Sequence, residues 1–324
     1  MLVRFTSAVQ LTRLTMVFGA VSDLWFVIVL TRYIADVSGD VSVPAAQLAL
    51  TAALSLGAVV AIGLFAFGAS LNDLLDARHD TAFSPERPIP AGRIKTSQAV
   101  VVTVGSLLVA IVAAAAFGRS ALVLAAITAA GILFYNAAGK FVPAVGLLAI
   151  GLIHANHMLI ANPELGFTLP VWLIMTHAIM ISAVVHRLEE KRPPLRPRSK
   201  AAVAIGYTIA SIAVLQIGYW RVGWDAIWPE GVSPLGLVWP LLAVLGFVVV
   251  AVRKSSNVPP RVAAEKVRRY GAMWQSLYGA SWLLALGLTT GAIWFGLFAL
   301  IGFAAMTAIK EVNGLGGRPV GFRA

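Results

Sequence analysis

The chain has 324 residues, 59% of them hydrophobic and 12% charged, with a mean hydropathy of +0.85. Soluble domains carry about a quarter charged residues, so the composition excludes an ordinary soluble fold, and the absence of cysteine excludes disulfides, thiolate metal sites and cysteine nucleophiles. A net charge of +11 would suit nucleic acid, but the basic residues collect in loops between apolar runs, which indicates membrane lipids instead and no nucleic-acid partner.

Runs of about 20 apolar residues can cross the hydrocarbon core as helices. Ten are predicted in chain order, at 11–33, 46–71, 97–117, 120–137, 143–161, 169–188, 201–220, 235–252, 271–289 and 291–309. Their apolarity is continuous rather than alternating, which argues against an outer-membrane barrel. The expected fold is therefore all-α: a polytopic transmembrane bundle of nine to ten spans, forming one domain over 1–324. No cleaved signal is expected, since Met1–Gln10 is short, the first apolar run is long enough to span and no small-residue cleavage site stands out. If the spans alternate from a cytoplasmic N-terminus, all the Lys and Arg except Arg32, Arg119 and Arg221 fall on the cytoplasmic side. That asymmetry predicts a multi-pass protein of the cytoplasmic membrane with its N-terminus inside. Trp220, Trp224, Trp228 and Trp239 cluster around the opposite loop, as an interfacial belt does. On the basic side, the loop 253–270 is expected to form a short amphipathic surface helix, in the stretch "PPRVAAEKVRRYG" that begins at Pro259.

Two loops carry carboxylates where a span ends. After the second run, "NDLLDARHD" places Asn72, Asp73, Asp76 and Asp80 within an arc of about 100° on a helix. Like charges this close to a membrane interior are costly and mark a functional candidate. Carboxylates and an amide oxygen suit Mg²⁺ together with phosphate oxygens. The competing reading is a solvated helix end whose acids pair with Arg78, Arg87 and Arg93.

"NDLLDARHD" resembles the N-D-x-x-D-x-x-x-D motif of the UbiA superfamily of intramembrane prenyltransferases, and the following "RPIPAGRI" is similar to that family's R-P-[IL]-x-x-G-x-[IL] segment. The hydrophobic layout is similar over nearly the whole chain, with an extra span at the end. The resemblance implies that Asn72, Asp73, Asp76 and Asp80 bind Mg²⁺ and the diphosphate of a prenyl donor, with Arg87 and Arg93 contacting the diphosphate. The second acidic cluster of the family is altered. Its place reads "VVHRLEEKRPP", with His186 and Glu190 at i and i+4 on one helix face and Glu189 beside them. Imidazole is a poor Mg²⁺ ligand. Either Glu189 and Glu190 hold a second metal in changed geometry, with Glu190 catalytic, or the second site is lost. Divergent relatives such as those named EboC show similarly reduced second motifs.

The family's Tyr-x-x-x-Lys pair corresponds to Tyr135 and Lys140, five apart rather than four, and Lys140 could reach a phosphate or anchor a helix end. Arg13 on the first span is a candidate for an anionic group or a positive-inside anchor. Asp23 has no role implied by the resemblance. His154 and Asn156 in the fifth span are expected to line a cavity and contact the acceptor; His157 and His177 admit a rival haem or metal reading. The function implied is Mg²⁺-dependent transfer of an isoprenyl group from a prenyl diphosphate to a lipophilic acceptor, aromatic or lipid, catalysed with Asp73, Asp76, Asp80 and Glu190. The alternative is a non-catalytic carrier for an isoprenyl diphosphate or related lipid.

Overall fold

The computed structural model describes residue 11, residues 17–191 and residues 193–315, with side chains to 308. Arg13 lies outside the described residues. Ten long helices follow one another: α1 Phe18–Ser38, α2 Leu50–Leu75, α3 Thr96–Ala115, α4 Arg119–Ala137, α5 Pro143–Met158, α6 Leu169–Leu188, α7 Pro197–Val222, α8 Val238–Ser255, α9 Pro260–Ala285 and α10 Thr289–Leu315. Among the described residues, nine helical segments are long and apolar enough to span a membrane. The other long helix, α9, misses that threshold because its first turns, "PRVAAEKVRRYG", are polar. The expected surface helix is thus not separate from the ninth span: both belong to one helix of 26 residues. No proline or glycine pair interrupts Arg261–Ala285, so nothing breaks the backbone ladder between the two parts.

Helices α1 to α6 and α9 pack in sequence around a shared interior, with α9 returning to α1 and closing the ring. The main buried cluster draws on these seven helices and on α10, through residues such as Leu24, Phe26, Leu64, Met175, Tyr278 and Phe295. Helices α7 and α8 lie outside it and bury few residues. Small residues permit the tight crossings that dispersion needs in lipid. At the α2–α3 contact, a Cβ on Gly63 would come within 2.8 Å of both Ala110 Cβ and Ser106 O. Helix α10 seats Phe298 against Phe18 and Trp25 of α1, and Phe295 over Gly279 of α9.

The alternating path brings the C-terminus of α2, the α4–α5 turn, the C-terminus of α6 and the N-terminus of α9 to the same end of the bundle. Leu11 is buried against Ile94 and Ala99 at that end as well. The exposed Trp220 and Trp224 fall at the opposite end. Long apolar helices with exposed aliphatic faces make this a multi-pass membrane protein.

Candidate functional site

Helix α2 ends at Leu75, and Asp76 caps it before a two-turn helix, Ala77–Phe83. Backbone bonds from Asp76 N to Asn72 O (2.9 Å) and from Asp80 N to Asp76 O (2.8 Å) carry the helical register across the junction. The four motif residues therefore stay near one face, although they do not share a single helix.

Basic side chains from two later segments close on this face. Arg87 is buried, and its Nη1 donates to Asp73 Oδ1 at 3.3 Å and to Asp80 Oδ2. Its loop folds back through bonds from Arg93 N and Ile94 N to Pro88 O (3.0 and 3.1 Å) and from Gly92 N, at φ 68°, to Ile89 O. The positive φ explains the glycine of "PAGRI". Arg93 donates to Glu86 O, which ties the same loop to itself. Lys140 arrives on the 3₁₀ turn Gly139–Phe141 after α4, and its Nζ lies 2.6 Å from Asp76 Oδ1 and 3.4 Å from Asn72 Oδ1. The five-residue spacing from Tyr135 does not prevent that reach, because Ala138 breaks the helix and the chain turns there. Tyr135 itself sits half-buried in the last turns of α4.

Two points thus exist where a protein cation lies between two oxygen donors: Arg87 between Asp73 and Asp80, and Lys140 between Asp76 and Asn72. Burial pushes the Asp80 carboxyl above its ordinary range, more than Arg87 pulls it down, and Asp76 and Asp73 add to the upward push. An oxygen-only donor set of this kind fits a hard divalent cation such as Mg²⁺. Among the described residues, no three His, Cys, Asp or Glu side chains converge tightly enough to hold a metal.

The C-terminus of α6 departs from expectation. The helix stops at Leu188, and Glu190 takes a left-handed conformation at φ 50°. Lys191 N bonds back to His186 O (3.1 Å) and Glu190 N to Arg187 O (3.2 Å), a C-terminal closure that Pro193 and Pro194 then enforce. His186 and Glu190 consequently do not share a helix face. Glu190 is exposed, and His186 Nε2 lies 3.1 Å from Pro193 O. Glu189 turns inward and pairs with Arg268 of α9 through Oε1 and with Lys191 through Oε2 at 3.1 Å. Burial alone would raise the Glu189 pKa, but Arg268 and Lys191 together hold it below the ordinary value. Arg268 was not legible as a site residue, since in "EKVRRYG" it reads as one surface cation among several.

Midway along the bundle, polar side chains meet between α1, α5, α6 and α9. His154 Nδ1 lies 3.2 Å from Gln275 Nε2, and His177 lies 3.0 Å from Gly271 O and 3.1 Å from Tyr278 OH through its two ring nitrogens. With both nitrogens engaged in protein contacts, His177 is not poised as a haem ligand. Asp23 is buried with Oδ2 lacking a hydrogen-bond partner, and it lines a small cavity with Gln275, Tyr278 and Trp282. Asn156 is half-buried on α5.

The profile of the UbiA prenyltransferase family matches residues 24–277. The chain belongs to that family. The match runs from α1 into α9, leaving α10 beyond it as the additional helix. A digeranylgeranylglyceryl phosphate synthase from Methanopyrus kandleri is 33% identical over 91 residues, 28% of this chain. The chain spans about a third of that relative's length (34%). Among solved structures, one concerned with the biosynthesis of digeranylgeranylglyceryl phosphate synthase in membranes aligns with 90% of this chain and 99% of its own, at 18% identity and a TM-score of 0.47. A UbiA homolog from Archaeoglobus fulgidus bound to GPP and Mg²⁺ covers 93% and 99%, at 15% identity and a TM-score of 0.44.

Proposed function

We propose that this UbiA-family protein transfers an isoprenyl group from a prenyl diphosphate to a lipophilic acceptor, an aromatic ring or a lipid, in a Mg²⁺-dependent reaction. The observation that supports it best is the pair of cation positions at the end of α2, each flanked by two oxygen donors. Asn72, Asp73, Asp76 and Asp80 would hold the metal. Bound Mg²⁺ would offset the charge that builds on diphosphate as the C–O bond breaks. Arg87 and Lys140 are charge-assisted donors already placed at these acids, and they would turn the same N–H groups toward diphosphate oxygens. The loop 86–94 carries Arg87 and orders Arg93 beside it. Apolar walls of the bundle would shield the allylic cation from water. His154 and Asn156, deeper on α5, are assigned to the acceptor side of the cavity, and Arg13 and Tyr135 to its anionic end.

We further assign the protein to the cytoplasmic membrane as a single domain, with its N-terminus and the acidic motif facing the cytoplasm. The lysine and arginine asymmetry supports that orientation. A carrier that binds the donor without turning it over is the second reading, favoured by the engagement of Glu189 with protein cations. Release of diphosphate from a prenyl diphosphate in the presence of Mg²⁺, abolished by Asp76→Asn, separates the two: an enzyme shows it and a carrier does not.

A further inference from the structure

The cavity midway along the bundle lies between α1, α5, α6 and α9, and two polar atoms of its lining residues have no hydrogen-bond partner. Among the described residues, Asp23 Oδ2 and Trp282 Nε1 are buried in this unpaired state. Their residues are 2% and 3% exposed, and both line this one cavity. The neighbouring polar side chains are engaged: Gln275 Nε2 lies 3.2 Å from His154 Nδ1, and Tyr278 OH lies 3.1 Å from His177 Nδ1. An unpaired acceptor or donor in an apolar interior costs free energy that a bound partner restores, and an acid at this depth is a functional candidate. The helices that carry the two groups are fixed against each other. Ser22 Oγ, next to Asp23, lies 2.5 Å from Ser276 Oγ of α9, and Gly19, one turn earlier, lets Ala272 and Gln275 of α9 close on α1. The space open to the centre of a water-sized group is about 10 Å³, room for one oxygen-centred group. Tyr278 lies ten residues along α9 from Arg268, which pairs with the end of α6. That is about 15 Å of helix, so occupancy of the cavity does not depend on diphosphate.

We propose that this cavity is a binding site for one hydroxyl group, which donates to Asp23 Oδ2 and accepts from the Trp282 indole N–H. A cation would suit the carboxylate but not the N–H, and an anion would suit the N–H but not the carboxylate. A hydroxyl satisfies both with a single oxygen. Two sources supply that chemistry: water, and a lipophilic alcohol whose carbon chain meets the apolar lining residues Phe26 and Ile174. In the second case Asp23 is a specificity residue that distinguishes an alcohol from the same lipid without a hydroxyl.

The test observes the indole N–H directly. Full-length protein in detergent is labelled with ¹⁵N at its tryptophan indoles, and the Trp282 resonance is identified by its loss in Trp282→Phe. Nuclear Overhauser spectra are recorded alone, with farnesol, and with farnesyl methyl ether, which accepts a hydrogen bond but cannot donate one. The expected result is a cross-peak from the Trp282 N–H to water, to the C1 protons of farnesol, or to each in turn. A water cross-peak that farnesol leaves unchanged assigns the site to water. Its replacement by the farnesol cross-peak, at an affinity about tenfold above that of the methyl ether, assigns it to a lipophilic alcohol. In either case the cross-peak is lost in Asp23→Leu and kept in Asp23→Asn, which retains an acceptor oxygen. Absence of both cross-peaks in the wild type, their persistence in Asp23→Leu, or displacement of water by farnesol and its methyl ether at equal affinity would overturn the inference.

Discussion

Arg87→Ala removes the cation that joins Asp73 and Asp80 and leaves two buried carboxylates without it. Arg87 is 5% exposed, Asp73 4% and Asp80 3%, so water does little to compensate. Breaking a buried pair of this kind costs about 3–5 kcal/mol, chiefly because a charge is left buried and uncompensated. A loss of that size lowers Tm by on the order of 10 °C. The deficit should depend on pH in a defined direction. Asp80 already has a raised pKa through burial, with Arg87 pulling the other way. A raised carboxyl favours the fold when protonated, so its contribution is complete below the unfolded value and disappears as pH rises through the folded value. Without Arg87 the folded value climbs further, and the variant should regain stability as pH falls from 7 to about 5. Thermal unfolding in detergent, followed by intrinsic tryptophan fluorescence across that pH range, measures both effects. A deficit below about 1 kcal/mol, or one that does not change with pH, would refute the placement of Arg87 as a buried counter-ion.

Further outcomes follow from the same geometry. Lys140→Met removes the ammonium from Asp76 and Asn72 and should weaken binding of a prenyl diphosphate analogue about 10- to 100-fold, as expected for a charged hydrogen bond, measured by isothermal titration. Gly146→Ala places a Cβ 2.9 Å from Gly139 O and 3.3 Å from Lys140 Cα, and backbone there has little room to yield. It should cost about 1–3 kcal/mol in thermal unfolding and reduce analogue affinity by displacing the turn that carries Lys140. Glu189 has a lowered pKa, so its contribution to stability is present above the unfolded value and declines as pH falls through the folded one. Glu189→Gln should therefore lower stability at pH 7 and flatten the acid limb of the unfolding profile, the variant and the wild type converging below about pH 4.5.

Sequence reached furthest where partners are close in the chain. Asp73, Asp80 and Arg87 lie within fifteen positions, and helical periodicity together with the "PAGR" turn already brings them near one another. Lys140 was visible as a candidate, but its reach to Asp76 depends on the 3₁₀ turn after α4, which spacing alone does not reveal. At Glu190 the departure has a local cause: helical spacing holds only to Leu188, where the αL residue and the Pro-Pro pair terminate the helix. Arg268 was missed because its significance comes from pairing across 79 positions with Glu189. The continuity of α9 was missed for a related reason. Polar first turns look like a surface helix until the packing of Ala264 and Val267 against α6 shows them docked. Apolarity locates spans well, whereas contacts among helix ends depend on tertiary packing.

The central claim is that the carboxylates ending α2 support transfer of an isoprenyl group from diphosphate. It is tested most directly by incubating purified protein with radiolabelled prenyl diphosphates of several chain lengths, Mg²⁺ and a total lipid extract, beside the Asp76→Asn variant. Label should appear in a new lipophilic product, with stoichiometric diphosphate release, from wild-type protein alone. Donor left intact by wild-type protein at every chain length, or equal product from Asp76→Asn, would contradict it.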